Sequence, residues 1–177
     1  STPKPSSAAS DVYKRQIKIS KLSMSTYPNK HLSTVDSNEF ALLTEIWEQS
    51  VRATHDFLSE ADIQDLKPKV LNDYLPLMAL RAYRDDAGNI QGFIGALNGK
   101  IEMLFIAPDS RGRGIGKALV SYAVAIMGAQ ELDVNEQNPQ ALGFYQRTGF
   151  QVVGRSALDG QGNPFPLLHM KITATSA

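Results

Sequence analysis

The segment Arg111-Gly112-Arg113-Gly114-Ile115-Gly116-Lys117 constrains this chain more than any other feature. Before it runs an apolar stretch, Lys100 to Ala107, closed by Pro108, and after it Leu119, Val120, Ala123, Val124 and Met127 recur at helical spacing. A strand must therefore turn into a helix here. The closely spaced glycines let the backbone turn tightly and come close to a ligand. The first amides of the helix have no partner within it, and together with the helix dipole they favour negative charge. Arg111, Arg113 and Lys117 add cationic groups suited to phosphates. The segment reads as an anion site; a glycine-rich loop with solvated basic residues is the plainer alternative.

Two familiar phosphate motifs fit poorly. A P-loop needs a glycine where Arg111 stands and a hydroxyl residue where Ala118 stands. A dinucleotide fingerprint needs its third glycine one residue after Gly116 and should open almost directly from the strand, whereas Pro108 to Arg111 intervene. Asp133 does lie near the offset of a ribose-binding acid, so the dinucleotide reading is weakened and not eliminated.

The flanking pattern supplies the fold class. Leu32 to Val35 reads as a short strand, and Asp36 with Glu39 as a capping-box-like helix start. Phe40, Leu43, Ile46, Trp47 and Val51 then follow at helical spacing to about Arg52. A second helix starts at Ser59 with Asp62 and continues through Ile63, Leu66, Val70, Leu71 and Leu75, with Pro68 as a break or boundary. Leu77 to Tyr83, a turn at Asp85 to Asn89, Ile90 to Leu97, a turn starting at Asn98-Gly99, and Lys100 to Ala107 form a meander. Beyond the Gly-rich helix come a strand at Glu131 to Val134 and a helix at Pro139 to Arg147 capped by Asn138. Strands at Phe150 to Arg155 and Leu167 to Ile172 close the order, joined by the turn-rich Asp159 to Pro164. This predicts a three-layer α+β domain with a mixed sheet between helices.

Composition removes several functions. Across 177 residues, Lys plus Arg number 18 and Asp plus Glu 18, so bulk charge gives no reason to expect a nucleic-acid or membrane-surface partner. There is no cysteine, which excludes a cysteine nucleophile, disulfides and thiolate metal sites. His31, His55 and His169 lack metal-ligand spacing, so no metal is expected. No apolar run approaches bilayer length and no secretory signal is visible, which makes the cytoplasm the default location. Residues 1–23 are rich in Ser, Lys and Pro, and Ser6 to Gln16 resembles the translation of a sequencing adapter. They are expected to be a disordered or non-native leader, with Met24 as the start and 24–177 as the domain.

Two separate motifs make a family resemblance specific. Arg111, Gly114 and Gly116 fall on the fixed positions of the pattern Q/R-x-x-G-x-G/A of the GNAT N-acetyltransferases, and Leu104 to Asp109 is similar to the strand preceding it there. Asn138-Pro139-Gln140-Ala141-Leu142-Gly143-Phe144-Tyr145, then Gly149-Phe150, resembles that family's second signature. The resemblance covers roughly Leu32 to Ile172. Ala53 to Leu58, Val134 to Asn138 and Gly162 to Leu168 resemble its bacterial YjaB-like branch.

The resemblance implies a mostly antiparallel central sheet and acetyl-CoA as cosubstrate. It implies direct transfer to the amine of a small molecule, peptide or protein, and a homodimer as a family-level expectation. Backbone amides from Gly112 to Lys117 would cradle the pyrophosphate, and backbone groups of Leu104, Phe105 and Ile106 would pair with the pantetheine arm. Asn138 and Asn135 are further cofactor contacts by the same reasoning. Tyr145 takes the position of the acid that protonates the departing thiolate; an exposed helix tyrosine is the plainer alternative. Glu102, expected on the face of Leu104, and His55, in the loop where this family forms its acceptor site, are both candidates for the base. Asp56, Glu60, Asp62 and Asp65 either draw a cationic amine or form a solvated acidic face. The same features also admit a non-catalytic acyl-CoA-binding regulatory domain.

Overall fold

The computed structural model describes residues 29–173, so the adapter-like leader lies outside the described residues. Strand β1 (Leu32–Ser33) leads through a 3-10 turn into α1 (Phe40–Thr54), followed by α2 (Glu60–Lys69). The meander is β2 (Ala79–Arg84), β3 (Ile90–Leu97) and β4 (Lys100–Ile106). After it come α3 (Ile115–Ala125), β5 (Glu131–Asn135), α4 (Pro139–Arg147), β6 (Phe150–Ser156) and β7 (Leu167–Ile172). The seven strands lie in the order β1-β2-β3-β4-β5-β7-β6, and every pairing is antiparallel except β4 with β5. This is the expected mixed, mostly antiparallel sheet, and it is not a doubly wound parallel sheet.

The sheet buries one apolar cluster on each face. On one side Leu43, Ile46, Trp47 and Val51 of α1 pack with Ile63, Phe93 and Met103. On the other Leu119, Val120 and Ala123 of α3 pack with Ile94, Ile101, Leu132 and Phe150. Burying each large side chain of this kind contributes roughly 1.5–3 kcal/mol, so both helical layers are held firmly to the sheet. No helix among the described residues is long and apolar enough to cross a membrane.

Local chemistry sets the connections. Asn98 (φ 51°) and Gly99 (φ 79°) make the two-residue β3–β4 turn, both in the left-handed region that this hairpin type requires. Asn138 caps α4, its Oδ1 accepting the Ala141 N–H at 3.1 Å with Pro139 at the first helical position. Two expectations sharpen. Pro68 does not stop the helical run but marks a change within it: it lies one residue inside the end of α2 at Lys69, where the chain widens into a π turn over Val70–Tyr74. The first strand is shorter than Leu32 to Val35, because only Leu32 and Ser33 find partners on β2.

Candidate active site

Two irregularities in β4 create the site. Pairing with β3 runs Gly95 with Met103 and then Ala96 with Ile101, which leaves Glu102 as the extra residue of a β-bulge. Ile101 and Leu104 consequently pack in the same cluster although they are three residues apart. The bulge interrupts simple alternation along β4, yet Glu102 and Leu104 both border the cleft that opens here. Pairing with β5 stops after Lys100–Glu131 and Ile101–Leu132. From there the two strands diverge, and the β5-facing backbone of Leu104 to Ile106 is left outside any ladder.

The opening becomes a cleft of about 630 Å³. One wall is β4, with Glu102, Leu104, Phe105 and Ile106. Another is the Gly-rich turn, with Arg111, Gly112, Gly114, Ile115, Gly116 and Lys117; the third is the β5–α4 segment, with Asn135, Asn138 and Tyr145. His55 closes the side at the end of α1. Residues separated by up to ninety-seven positions of sequence, Ser50 to Arg147, thus face one space.

Among the predicted site residues Arg113 is the exception. It lies between Gly112 (φ 75°) and Gly114 (φ 78°), whose left-handed backbone reverses the chain on both sides of it. Its side chain borders a separate hollow of about 270 Å³ with His31, Tyr83, Asp85 and Asp86. Asp133, weighed above as a ribose-binding acid, borders the cleft, but its carboxylate is already paired: Lys100 Nζ and His169 Nδ1 each lie 2.6 Å from it. None of Asp56, Glu60, Asp62 and Asp65 lines the cleft. Glu60 pairs with Arg52 at 2.6 Å and Asp62 accepts the Ser59 N–H at 2.9 Å, so that face is a solvated, locally paired one.

The turn leaves backbone donors unpaired at the edge of the cleft. The first bond of α3 runs from the Ala118 N–H to the Gly114 carbonyl at 3.0 Å, so the amides of Ile115, Gly116 and Lys117 are those a helix start leaves without an internal acceptor. A Cβ on Gly112 or Gly114 would meet nothing within 4 Å, whereas one on Gly116 would stand 3.2 Å from the Phe144 ring. Gly116 therefore lets α3 and α4 approach closely beside the cleft.

The titratable groups are distinct in character. Burial pushes the Tyr145 phenol well above its ordinary value, and its ring makes edge contacts with Phe144 (5.2 Å) and Phe150 (6.2 Å). It is a fully protonated donor. Burial, then the Arg111 guanidinium, hold the His55 imidazole below its ordinary value against the opposing charge of Asp56. Burial raises Glu102, with Lys100, 3.9 Å away, opposing and Asp133 reinforcing. Burial would raise Asp133 too, but its hydrogen bonds with Lys100 and His169 hold it below the usual carboxylate range.

Sequence reading missed Ser50, Thr54, Ser110, Gln140, Phe144 and Arg147 as lining residues. Ser50 and Thr54 carried one signal, their positions on the α1 turn that ends at His55. Among the described residues no group of three or more His, Cys, Asp or Glu gathers where a metal could bind.

Comparison with known proteins agrees with this geometry. Residues 44–174 match the family model described as an acetyltransferase (GNAT) domain. The chain is 44% identical over 128 residues to the peptidyl-lysine N-acetyltransferase YjaB of Salmonella typhimurium, covering 72% of this chain and 88% of that protein. The solution structure of apo YjaB from Escherichia coli superposes with a TM-score of 0.73 at 38% identity, covering 80% of this chain and 96% of the other. The PaiA N-acetyltransferase of Thermoplasma acidophilum in complex with coenzyme A, 23% identical, shares the fold with a TM-score of 0.62, covering 80% and 98% of the two chains.

Proposed function

Because the chain belongs to the GNAT acetyltransferase family, and is therefore an acyltransferase enzyme, we propose that it moves the acetyl group of acetyl-CoA directly to a primary amine, with peptidyl lysine as the acceptor class. The observation that carries this reading is the junction of the β4–β5 divergence with the start of α3 and the Tyr145 side chain in one cleft. An extended arm can add to the unladdered edge of Leu104 to Ile106 as a further strand would. A pyrophosphate suits the free amides of Ile115 to Lys117 with Arg111 beside them. Asn135 and Asn138 border the same channel. The acceptor class is supported by the relatives named peptidyl-lysine N-acetyltransferase.

Acetyl-CoA supplies the acetyl thioester, and the chain supplies proton management. His55, whose imidazole burial and then Arg111 hold below its ordinary value, takes one proton from the acceptor's ammonium. The freed amine nitrogen bonds to the acetyl carbon as the carbon–sulfur bond breaks. The departing sulfur takes the Tyr145 proton, and the second amine proton restores the phenol. An amide N–H on the open edge of β4 can polarise the acetyl carbonyl. Glu102, on the bulge, lies where its charge draws the ammonium inward.

Thiol release from acetyl-CoA, measured across a panel of lysine peptides and small amines, tests the reading. Acetyl-CoA should also raise the melting temperature, by about 2.7 kcal/mol of stabilisation at a hundred times its dissociation constant. Stabilisation by acetyl-CoA with no thiol release on any amine would identify a non-catalytic acyl-CoA-binding domain. Stabilisation by NAD alone would refute the cofactor assignment.

A further inference from the structure

We propose that Thr54 is a positioning residue that decides which nitrogen of His55 accepts the acceptor's proton; this rests on the acetyl-transfer reading above. The Thr54 hydroxyl lies 2.7 Å from the Ser50 carbonyl oxygen and 2.7 Å from His55 Nδ1. A hydroxyl has one proton to donate and lone pairs with which to accept. The Ser50 carbonyl can only accept, so the Thr54 proton points there. Nδ1 must then be the donor in the second contact. The neutral imidazole is thereby held with its proton on Nδ1 and its lone pair on Nε2.

The surroundings keep this arrangement in place. Ser50 and Thr54 are one helical turn apart on α1, so the hydroxyl is anchored to a rigid ladder and not to a loop. The His55 N–H donates to the Val51 carbonyl at 2.8 Å, which holds the residue at the helix end. The Phe57 ring lies 5.3 Å from the imidazole, and Arg52 spans to Glu60 through two hydrogen bonds of 2.6 and 2.9 Å, strapping the loop that follows. Among the described residues no hydrogen bond occupies Nε2. The charged groups acting on the ring are Arg111 from the Gly-rich turn and Asp56 from its own loop. Ser50, Thr54 and His55 all border the cleft, so the lone-pair nitrogen belongs to a ring that faces the reacting space. When Nε2 takes a proton from the acceptor ammonium the ring becomes an imidazolium, its Nδ1–H still bonded to Thr54, and the proton then leaves to solvent.

The tautomer is read directly from two-bond nitrogen–proton correlations of the ¹⁵N-labelled full chain, at a pH above the His55 titration. The wild type should show a protonated Nδ1 and an unprotonated Nε2. Thr54→Val, which keeps the shape and removes the hydroxyl, should lose that pattern, and Thr54→Ser should restore it. In parallel, Thr54→Val should lower kcat/KM for the acceptor peptide by about tenfold, a fraction of what a general base supplies, with the KM for acetyl-CoA unchanged. A proton on Nε2 in the wild type overturns the proposal without any variant. So does an unchanged tautomer in Thr54→Val, or an altered tautomer with unchanged kcat/KM. Absence of thiol release in the wild type would overturn the transfer reading, and with it the proton-accepting role, while the spectrum still reports the tautomer on its own.

Discussion

Replacing Gly114 by alanine isolates what the Gly-rich turn contributes. Gly114 precedes α3 at φ 78°, ψ 9°, in the left-handed region, and an added methyl group would meet nothing within 4 Å. The cost is therefore conformational and not steric. Holding an L-residue there costs about 1–2 kcal/mol, offset by about 0.4–1 kcal/mol from the stiffer unfolded chain. The net loss is about 1 kcal/mol, or a fall of about 2–4 °C in Tm for a chain of this size. Gly160 is the control: it is also open to space but has no left-handed φ, so Gly160→Ala should be neutral or stabilising. If the turn instead relaxes to relieve the strain, the amides of Ile115 to Lys117 re-aim. Losing one hydrogen bond to a charged group removes about 1.5–3 kcal/mol, a rise of about tenfold to a hundredfold in the Kd for acetyl-CoA. Urea unfolding and calorimetric titration of the two variants measure both quantities. Wild-type stability together with wild-type affinity in Gly114→Ala would refute the reasoning, as would an equal loss in Gly160→Ala.

Tyr145→Phe should lower kcat by about a hundredfold or more, the scale of general-acid catalysis, while the Kd for acetyl-CoA measured by calorimetry moves little; unchanged kcat across the pH range would remove the acid role. Arg111→Gln should raise the His55 pKa toward its ordinary 6.5 by removing its second-largest depressing influence, as followed by imidazole chemical shifts in the free protein. Because folded His55 binds protons less readily than the unfolded chain, its effect on stability is absent well above 6.5 and becomes a loss as pH falls below that value; Arg111→Gln should shrink that loss in pH-dependent urea unfolding. Lys100→Met should push Glu102 still higher, since Lys100 is the group opposing its burial, and carboxyl chemical shifts would register the change.

How much of this was legible in sequence depended on how local each cause is. Helix α4 was readable to its ends because Asn138, Pro139 and Gly149 each act within a few residues. The β3–β4 turn was readable because Asn98-Gly99 specifies its own backbone. The bulge at Glu102 and the early end of the β4–β5 ladder were not. The bulge follows from how Gly95 and Ala96 of β3 pair across to Met103 and Ile101, and the ladder end from which residues of β5 lie opposite Lys100 and Ile101, thirty-one positions away; nothing within β4 alone records either pairing. The Arg113 side chain shows a related limit. Its charge is visible in sequence, but its side of the loop depends on the left-handed glycines that flank it.

The same distinction separates the two halves of the cleft. The half proposed for the cosubstrate draws on two contiguous segments, Leu104 to Lys117 and Asn135 to Tyr145, and would contact it largely through backbone that glycines and helix starts expose. The side proposed for the acceptor is made of side chains at the end of α1, Ser50, Thr54 and His55. Behind it and outside the lining, the Phe57 ring lies 5.3 Å from His55 and 5.5 Å from Phe165. A backbone site tolerates most substitutions that keep its turns, whereas a site made of side chains changes with each one. On the proposed reading, acceptor preference would shift through substitution of Phe57, the ring 5.3 Å from His55, while Tyr145, held on α4, stays where it is.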